Sequence, residues 1–181
     1  MTDLILFWHR RDLRTVDNIG LDAARQRSSK VIGVFCLDPN ILQRDDVAPA
    51  RVTYLIGSLA KLQESYAQAG SQLLILQGQP VERLPALAKA LSAQAVYLNR
   101  DVEPYGRERD RTVAAALRKR GRSPGVLGPV AARPNAGNDR LRPALYGLHP
   151  FWRNWKSQPK AEPVVGLTQA SGLSESEIST A

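Results

Sequence analysis

The sequence predicts a Rossmann-like, doubly wound α/β domain, a parallel sheet of about five strands with helices on both faces. Two observations carry the prediction. Short apolar runs recur along the chain without polar alternation, the pattern of strands covered on both faces. The stretches between them repeat apolar residues at spacings of three and four, the pattern of helices with one buried stripe. Strict alternation of the two requires crossover connections and therefore parallel pairing, and the right-handed rule for crossovers distributes the helices over both faces.

The first apolar run is LILFW at 4–8, followed at once by the charged stretch HRRDLRTVDN. Asp17 or Asn18 can cap a helix through Ile19, Leu21, Ala23 and Ala24, because a short side-chain oxygen accepts from the free amides of a first turn. A second run, VIGVFCL, fills 31–37. From Pro49 to about Ala69, Val52, Leu55, Ile56, Leu59, Leu62 and Tyr66 share one helical face, and Gly70 stops the helix. QLLILQ at 72–77 is the third strand, and Pro80 opens a helix with Leu84, Leu87, Ala88 and Leu91 inward. AVYLN at 95–99 is the fourth. Pro104 opens the next helix, with Val113, Ala116 and Leu117 facing the core and the arginines outward.

Residues 121–150 break the pattern. They hold five Gly and five Pro, a density that interrupts helix and strand alike, and only Val126 and Leu127 hint at a fifth strand. A long irregular loop is expected. PFWRNW at 150–155 reads as an aromatic anchor, with Trp152 and Trp155 as packing residues at spacing three. SQPKAEP and SGLSESEISTA read as linker, and Ser174 with Glu177 has capping-box spacing, as though a further helix were starting.

Composition narrows the function. Cys36 is the only cysteine, which excludes an intrachain disulfide, and with His9 and His149 the only histidines a structural zinc site is not expected. No window reaches the roughly 18 apolar residues of a membrane span, so a cytoplasmic protein with no membrane partner is expected. The net charge of +8 invites a polyanionic partner, but residues 121–150 alone contribute +3 of it, and a soluble basic surface explains the rest equally well.

In a doubly wound domain, ligands sit beyond the carboxyl ends of the strands, at the switch in strand order. That rule points to His9–Arg14, Cys36–Asp38, Gln77–Gly78 and Asn99–Arg109. Arg10, Arg11 and Arg14 either face an anionic ligand, or Arg11 or Arg14 pairs with Asp12 or Asp17 and braces the strand-to-helix turn, and bracing is favoured. His9, at the strand end, reads as a hydrogen-bonded scaffold residue. Cys36 reads as a small buried hydrophobe. Arg51 opposes the dipole of its own helix, which suggests a partner elsewhere. Asp101 and Glu103 offer acceptors ahead of a helix whose free amides point into the crevice. No nucleophile or metal cluster accompanies the two carboxylates, so binding is expected rather than acid–base catalysis. A G-x-G-x-x-G phosphate loop, which a stand-alone nucleotide-binding module would need, is nowhere present.

HRRDLRTVDN after a strand resembles the amino-terminal signature of the photolyase and cryptochrome family. FCLDP at 35–39, APARVTYLIGSLAKL from 48, LNRDVEPYGRERD at 98–110 and PFWRNW at 150–155 agree in order and spacing. The resemblance is closest to cyanobacterial class I cyclobutane pyrimidine dimer photolyases with an 8-hydroxy-5-deazaflavin antenna. It implies that residues 1–130 form an antenna-chromophore domain and that 131–181 form an irregular loop and interdomain linker. It further implies excitation transfer to FAD in a separate helical domain, expected to be absent from this chain, and through the full-length protein a light-driven repair lyase acting on UV-damaged DNA. The chain by itself is then not expected to catalyse repair. Carried over residue by residue, the antenna site comprises Cys36, Arg51, Asp101, Val102, Glu103, Pro104, Tyr105, Gly106, Arg107, Glu108 and Arg109. Arg51 would face the ionised hydroxyl of the deazaflavin; methenyltetrahydrofolate is the alternative antenna, and a cryptochrome photosensor is the alternative function. The chain departs from the family between 121 and about 147, where a shifted reading frame through GC-rich coding sequence is the expectation.

Overall fold

The computed structural model describes residues 3–101, 103–119, 148–159 and 162–181. Four strands, β1 (Ile5–His9), β2 (Val31–Leu37), β3 (Leu73–Gln77) and β4 (Ala95–Tyr97), form one parallel sheet in the order β3-β2-β1-β4. Helices α1 (Ile19–Arg27), α2 (Pro39–Leu42), α3 (Pro49–Gln68), α4 (Pro80–Ala90) and α5 (Pro104–Lys119) connect or follow them; α6 (Leu148–Ser157) and α7 (Glu175–Thr180) complete the set. The fifth strand expected near Val126 and Leu127, and the segment expected to be frame-shifted, lie outside the described residues. No described helix is long and apolar enough to cross a membrane.

Period-two side-chain alternation sorts the strand residues into two cores, one on each face of the sheet. Leu4, Leu6, Trp8, Ile32, Val34 and Cys36 pack with Leu84, Leu87 and Leu91 of the α4 region and with Val113 and Leu117 of α5. Ile5, Phe7, Val31 and Phe35 pack with Leu21 and Ala24 of α1 and with Leu59, Leu62 and Tyr66 of α3. A continuous apolar strand is therefore buried twice over. Gly33 is small because Tyr66 lies against it: a Cβ there would sit 2.6 Å from the tyrosine Cζ. The helix stripes follow the periodicity except at Ile19, 39% exposed at the start of α1, and Ile56, 61% exposed at the edge of the α3 face.

Local signals fix the ends. Asn18, not Asp17, caps α1, its side chain accepting from the Leu21 amide. Asp17 takes the left-handed φ of 50° and exchanges two hydrogen bonds with Val164, its amide donating to the Val164 carbonyl and its carboxylate accepting from the Val164 amide. Ser174 and Glu177 form the complete capping box of α7.

The stretch from 162 lies along the α/β domain. Leu167 and Leu173 are buried, the Ala170 amide donates to the Ala69 carbonyl, the Ser171 amide donates to the Ser29 carbonyl, and Lys30 holds both oxygens of Glu177 at 2.8 and 2.7 Å. Lys30 foremost, with the Ser174 amide and hydroxyl, pulls the Glu177 carboxyl down to about 2. Trp152 and Trp155, read as packing residues, are instead about half exposed, and Lys156 lies 5.0 Å above the Trp152 ring. At spacing three they share one face of a short helix.

Candidate functional site

Strand order changes direction between β1 and β4, since β2 and β3 are added on one side of β1 and β4 on the other. Beside that switch, above the carboxyl ends of β1 and β2, lies a cavity of about 350 Å³. Its walls are Trp8, Phe35, Leu37, Ile41, Leu42 and Leu55, and its rim carries Arg10, Arg11, Arg44, Asp101, Glu103 and Arg109. Apolar walls with a few convergent polar groups are the ordinary make-up of a small-molecule site of this size.

The charges form a network rather than a list of neighbours. Arg10, barely exposed, pairs with Asp110 of α5. Asp110 also accepts from the Asp101 amide at 3.3 Å and lies 3.6 Å from Arg109. Asp101 takes Arg109 at 3.4 Å, Arg11 at 3.6 Å and the Glu103 amide at 3.1 Å. Arg11 reaches on to Glu103 at 2.5 Å. Burial pushes the Asp101 carboxyl up, but the Glu103 amide and the charges of Arg11, Arg10 and Arg109 outweigh it and hold it below the usual carboxylate range. Burial lowers the Arg10 guanidinium, with Asp110 opposing the shift. Gly106 makes room for this arrangement: a Cβ there would fall 2.2 Å from the Asp101 carboxyl carbon.

Trp8 stands under this network, with the guanidinium carbon of Arg10 5.0 Å and that of Arg109 5.2 Å from its ring centroid. Arg109 also lies 5.9 Å from the Tyr105 ring, and its buried Nε has no hydrogen-bond partner among the described residues. A flat ring carrying hydroxyls fits such a place: apolar and aromatic walls for its faces, and acceptors on Asp101 and Glu103 for its hydroxyls.

His9 closes the floor. Its Nδ1 lies 2.9 Å from the Asp12 carbonyl and its Nε2 2.8 Å from the Tyr66 hydroxyl, so the neutral ring donates to the first and accepts from the second. Burial lowers its pKa to about 4, against the Asp12 carbonyl and charge, and burial also raises Tyr66. Cys36, 8% exposed, has its thiol pushed up to about 12, by burial first and then by Asp38. Neither group is poised for chemistry near neutral pH.

Of the residues carried over from the resemblance, the cavity brings together Cys36, Asp101, Glu103, Tyr105, Gly106 and Arg109, and from the strand-end stretches it adds His9, Arg10, Arg11, Leu37 and Asp38. Arg51 is exposed in the first turn of α3 and does not line it. Pro104, Arg107 and Glu108 do not line it either, and Val102 lies outside the described residues. Helical geometry explains the division within α5: positions 105, 106 and 109 share one face, while Arg107 joins Arg100 and Arg111 in another groove and Glu108 pairs with Arg111 at 2.9 Å. Sequence reasoning missed Ile41, Leu42 and Arg44, which belong to α2 and the turn after it. Asp38 followed by Pro39, an N-cap with proline at the first helical position, was the available signal. In the charged stretch, Arg14 pairs with Asp12 and Asp17, whereas Arg10 and Arg11 reach across to Asp110, Asp101 and Glu103, partners about ninety residues away.

The family model described as DNA photolyase matches residues 5–166. A deoxyribodipyrimidine photo-lyase of Synechococcus sp. is 52% identical over 180 residues, covering 96% of this chain and 36% of its own length. An uncharacterized 31.6 kDa protein of another Synechococcus strain is 47% identical over 178 residues, covering 98% of this chain and 63% of that protein. Among solved structures, a bacterial class III photolyase from Agrobacterium tumefaciens superposes with a TM-score of 0.77 at 25% identity, over 96% of this chain and 36% of that one. The chain thus spans between about a third and two thirds of the length of these relatives.

Proposed function

The chain belongs to the DNA photolyase family, and on that premise we propose that it is the light-harvesting part of a deoxyribodipyrimidine photolyase, holding an antenna pigment in the cavity above β1 and β2. The observation that carries the reading is the cavity itself: apolar and aromatic walls under a rim of arginines and carboxylates at the switch in strand order. Trp8, Phe35 and Leu55 hold the faces of a flat ring. Asp101, held ionised by the Glu103 amide and its arginine partners, accepts from ring or side-chain hydroxyls, and the Glu103 carboxylate offers further acceptors at the rim. The pigment of the proposal is 8-hydroxy-5-deazaflavin, with methenyltetrahydrofolate as the alternative. Bound there, it would supply near-UV and blue absorption and excitation transfer to FAD. The FAD belongs to a helical partner domain, and through that domain the repaired substrate is a pyrimidine dimer in UV-damaged DNA.

The test is spectroscopic. The chain expressed in a deazaflavin-making host is expected to co-purify with a visible absorption band, which Asp101→Ala reduces at least tenfold while circular dichroism stays native. Titration of the pigment-free chain with each antenna separately, read by fluorescence, decides between them. A folded chain that takes up neither pigment overturns the reading.

A further inference from the structure

Resting on the reading that the cavity holds a light-absorbing ring, we propose that Arg10 and Arg109 make Trp8 a poor electron donor, so that a pigment excited in the cavity keeps its excitation rather than losing it to the indole in its wall. Trp8 is 2% exposed and lines the cavity. Two guanidinium carbons lie over it, at 5.0 and 5.2 Å from the ring centroid. Both cations are fixed in place, with side-chain exposures of 10% and 15%, by Asp110 and Asp101.

Indole gives up an electron without a coupled proton loss more readily than the other aromatic side chains, and an excited flavin-like ring in contact with it takes that electron. The draining step moves one electron from the Trp8 indole to the excited pigment. The products are an indole radical cation and a pigment radical anion, which recombine with the energy lost as heat and no net chemistry. A cation over the ring stabilises the electron-rich ground state and destabilises the radical cation, so each guanidinium raises the potential at which Trp8 gives up its electron. Partial burial keeps water from screening that field. The carboxylates offset part of it, but the charges placed over the ring are the cations, and a guanidinium is not deprotonated in proteins. A role in packing alone would show in stability and leave the potential of Trp8 untouched.

The other two tryptophans, both about half exposed on α6, are removed for the test by Trp152→Phe and Trp155→Phe, which leaves Trp8 as the only indole. In that background Arg10→Met with Asp110→Asn takes away one cation and one carboxylate together and leaves no unpaired buried charge. Pulse radiolysis of the pigment-free chain against a reference couple reads the one-electron potential of Trp8, which is expected to fall in the variant. With 8-hydroxy-5-deazaflavin bound, the pigment's fluorescence lifetime is expected to shorten severalfold in the variant and to recover when Trp8→Phe is added. An unchanged potential overturns the inference, as does a lifetime that shortens equally without Trp8. So does a severalfold longer lifetime from Trp8→Phe alone with Arg10 in place, since Trp8 would then be quenching despite the cations. If the first pair of substitutions prevents folding, Arg109→Met with Asp101→Asn gives the same potential measurement from the other cation. A chain that binds no deazaflavin fails the reading of the cavity, and the potential still decides separately whether the cations tune Trp8.

Discussion

His9 shows how a single residue couples the floor of the site to solvent conditions. Folded, its ring is neutral, with the lowered pKa of about 4; unfolded, it returns to about 6.5. The unfolded chain therefore binds the extra proton between these values, and stability falls as the pH drops through that window and levels off below it. Urea unfolding should show a loss of about 2 kcal/mol from this group between pH 7 and pH 5, a slope that His9→Gln removes. A pH-independent midpoint in the native chain across that range would contradict the assignment. His9 was readable from the sequence as a scaffold residue because it ends an apolar strand, but its partner was not. Tyr66 is 57 positions away, and spacing along the chain carries no information about which tyrosine folds over which histidine. The same limit hid the pairing of Arg10 with Asp110: charge at a strand end was legible, its destination was not.

Helices and strands were legible in proportion to how locally they are determined. β2 begins and ends where its apolar run does, and α3, α4 and α5 start at their prolines, because burial on both faces and a proline's missing amide are written into the local sequence. α2 went unread because four residues are too few to show a helical period. Asn18 carries more than an ordinary cap. Besides the Leu21 amide, its side-chain oxygen accepts from Asn99 at 3.0 Å, its amide donates to the Arg14 carbonyl, and Asn99 in turn accepts from Gly20. Asn18→Ala thus unties α1 from the end of β4 as well as from its own first turn, and should cost about 2 kcal/mol, the upper end for a cap. Asp22→Ala, which sits in the same helix and touches only Arg25 and Gln26, is the control and should cost less than half as much by thermal melting.

Across the molecule, the stretch from 162 to 181 runs from the turn before α1, where Val164 and Leu167 bond Asp17 and Thr15, to the amino-end side of the sheet and the carboxyl end of α3. Its composition is that of a linker, and beyond the capping-box spacing of Ser174 and Glu177 the sequence offered no sign that it docks; what docks it is two leucines and backbone bonds to carbonyls that a helix end and a turn leave free. Removing 162–181 should lower stability, as a fall in melting temperature would register, because it strips two buried leucines and their backbone bonds from the domain. An unchanged melting temperature would mean that the segment does not dock in solution. The Lys30–Glu177 pair contributes little of this, being partly exposed. Both extremities of the described chain converge on one turn: the Asp3 carbonyl accepts from the Ser28 hydroxyl, and Glu177 sits on Lys30. That turn leads into β2, whereas the cavity rim lies past the opposite ends of the strands. A short peptide could therefore join head to tail in a circular permutant, and a reporter fused at either extremity would sit a full strand's length from the rim it is meant to watch.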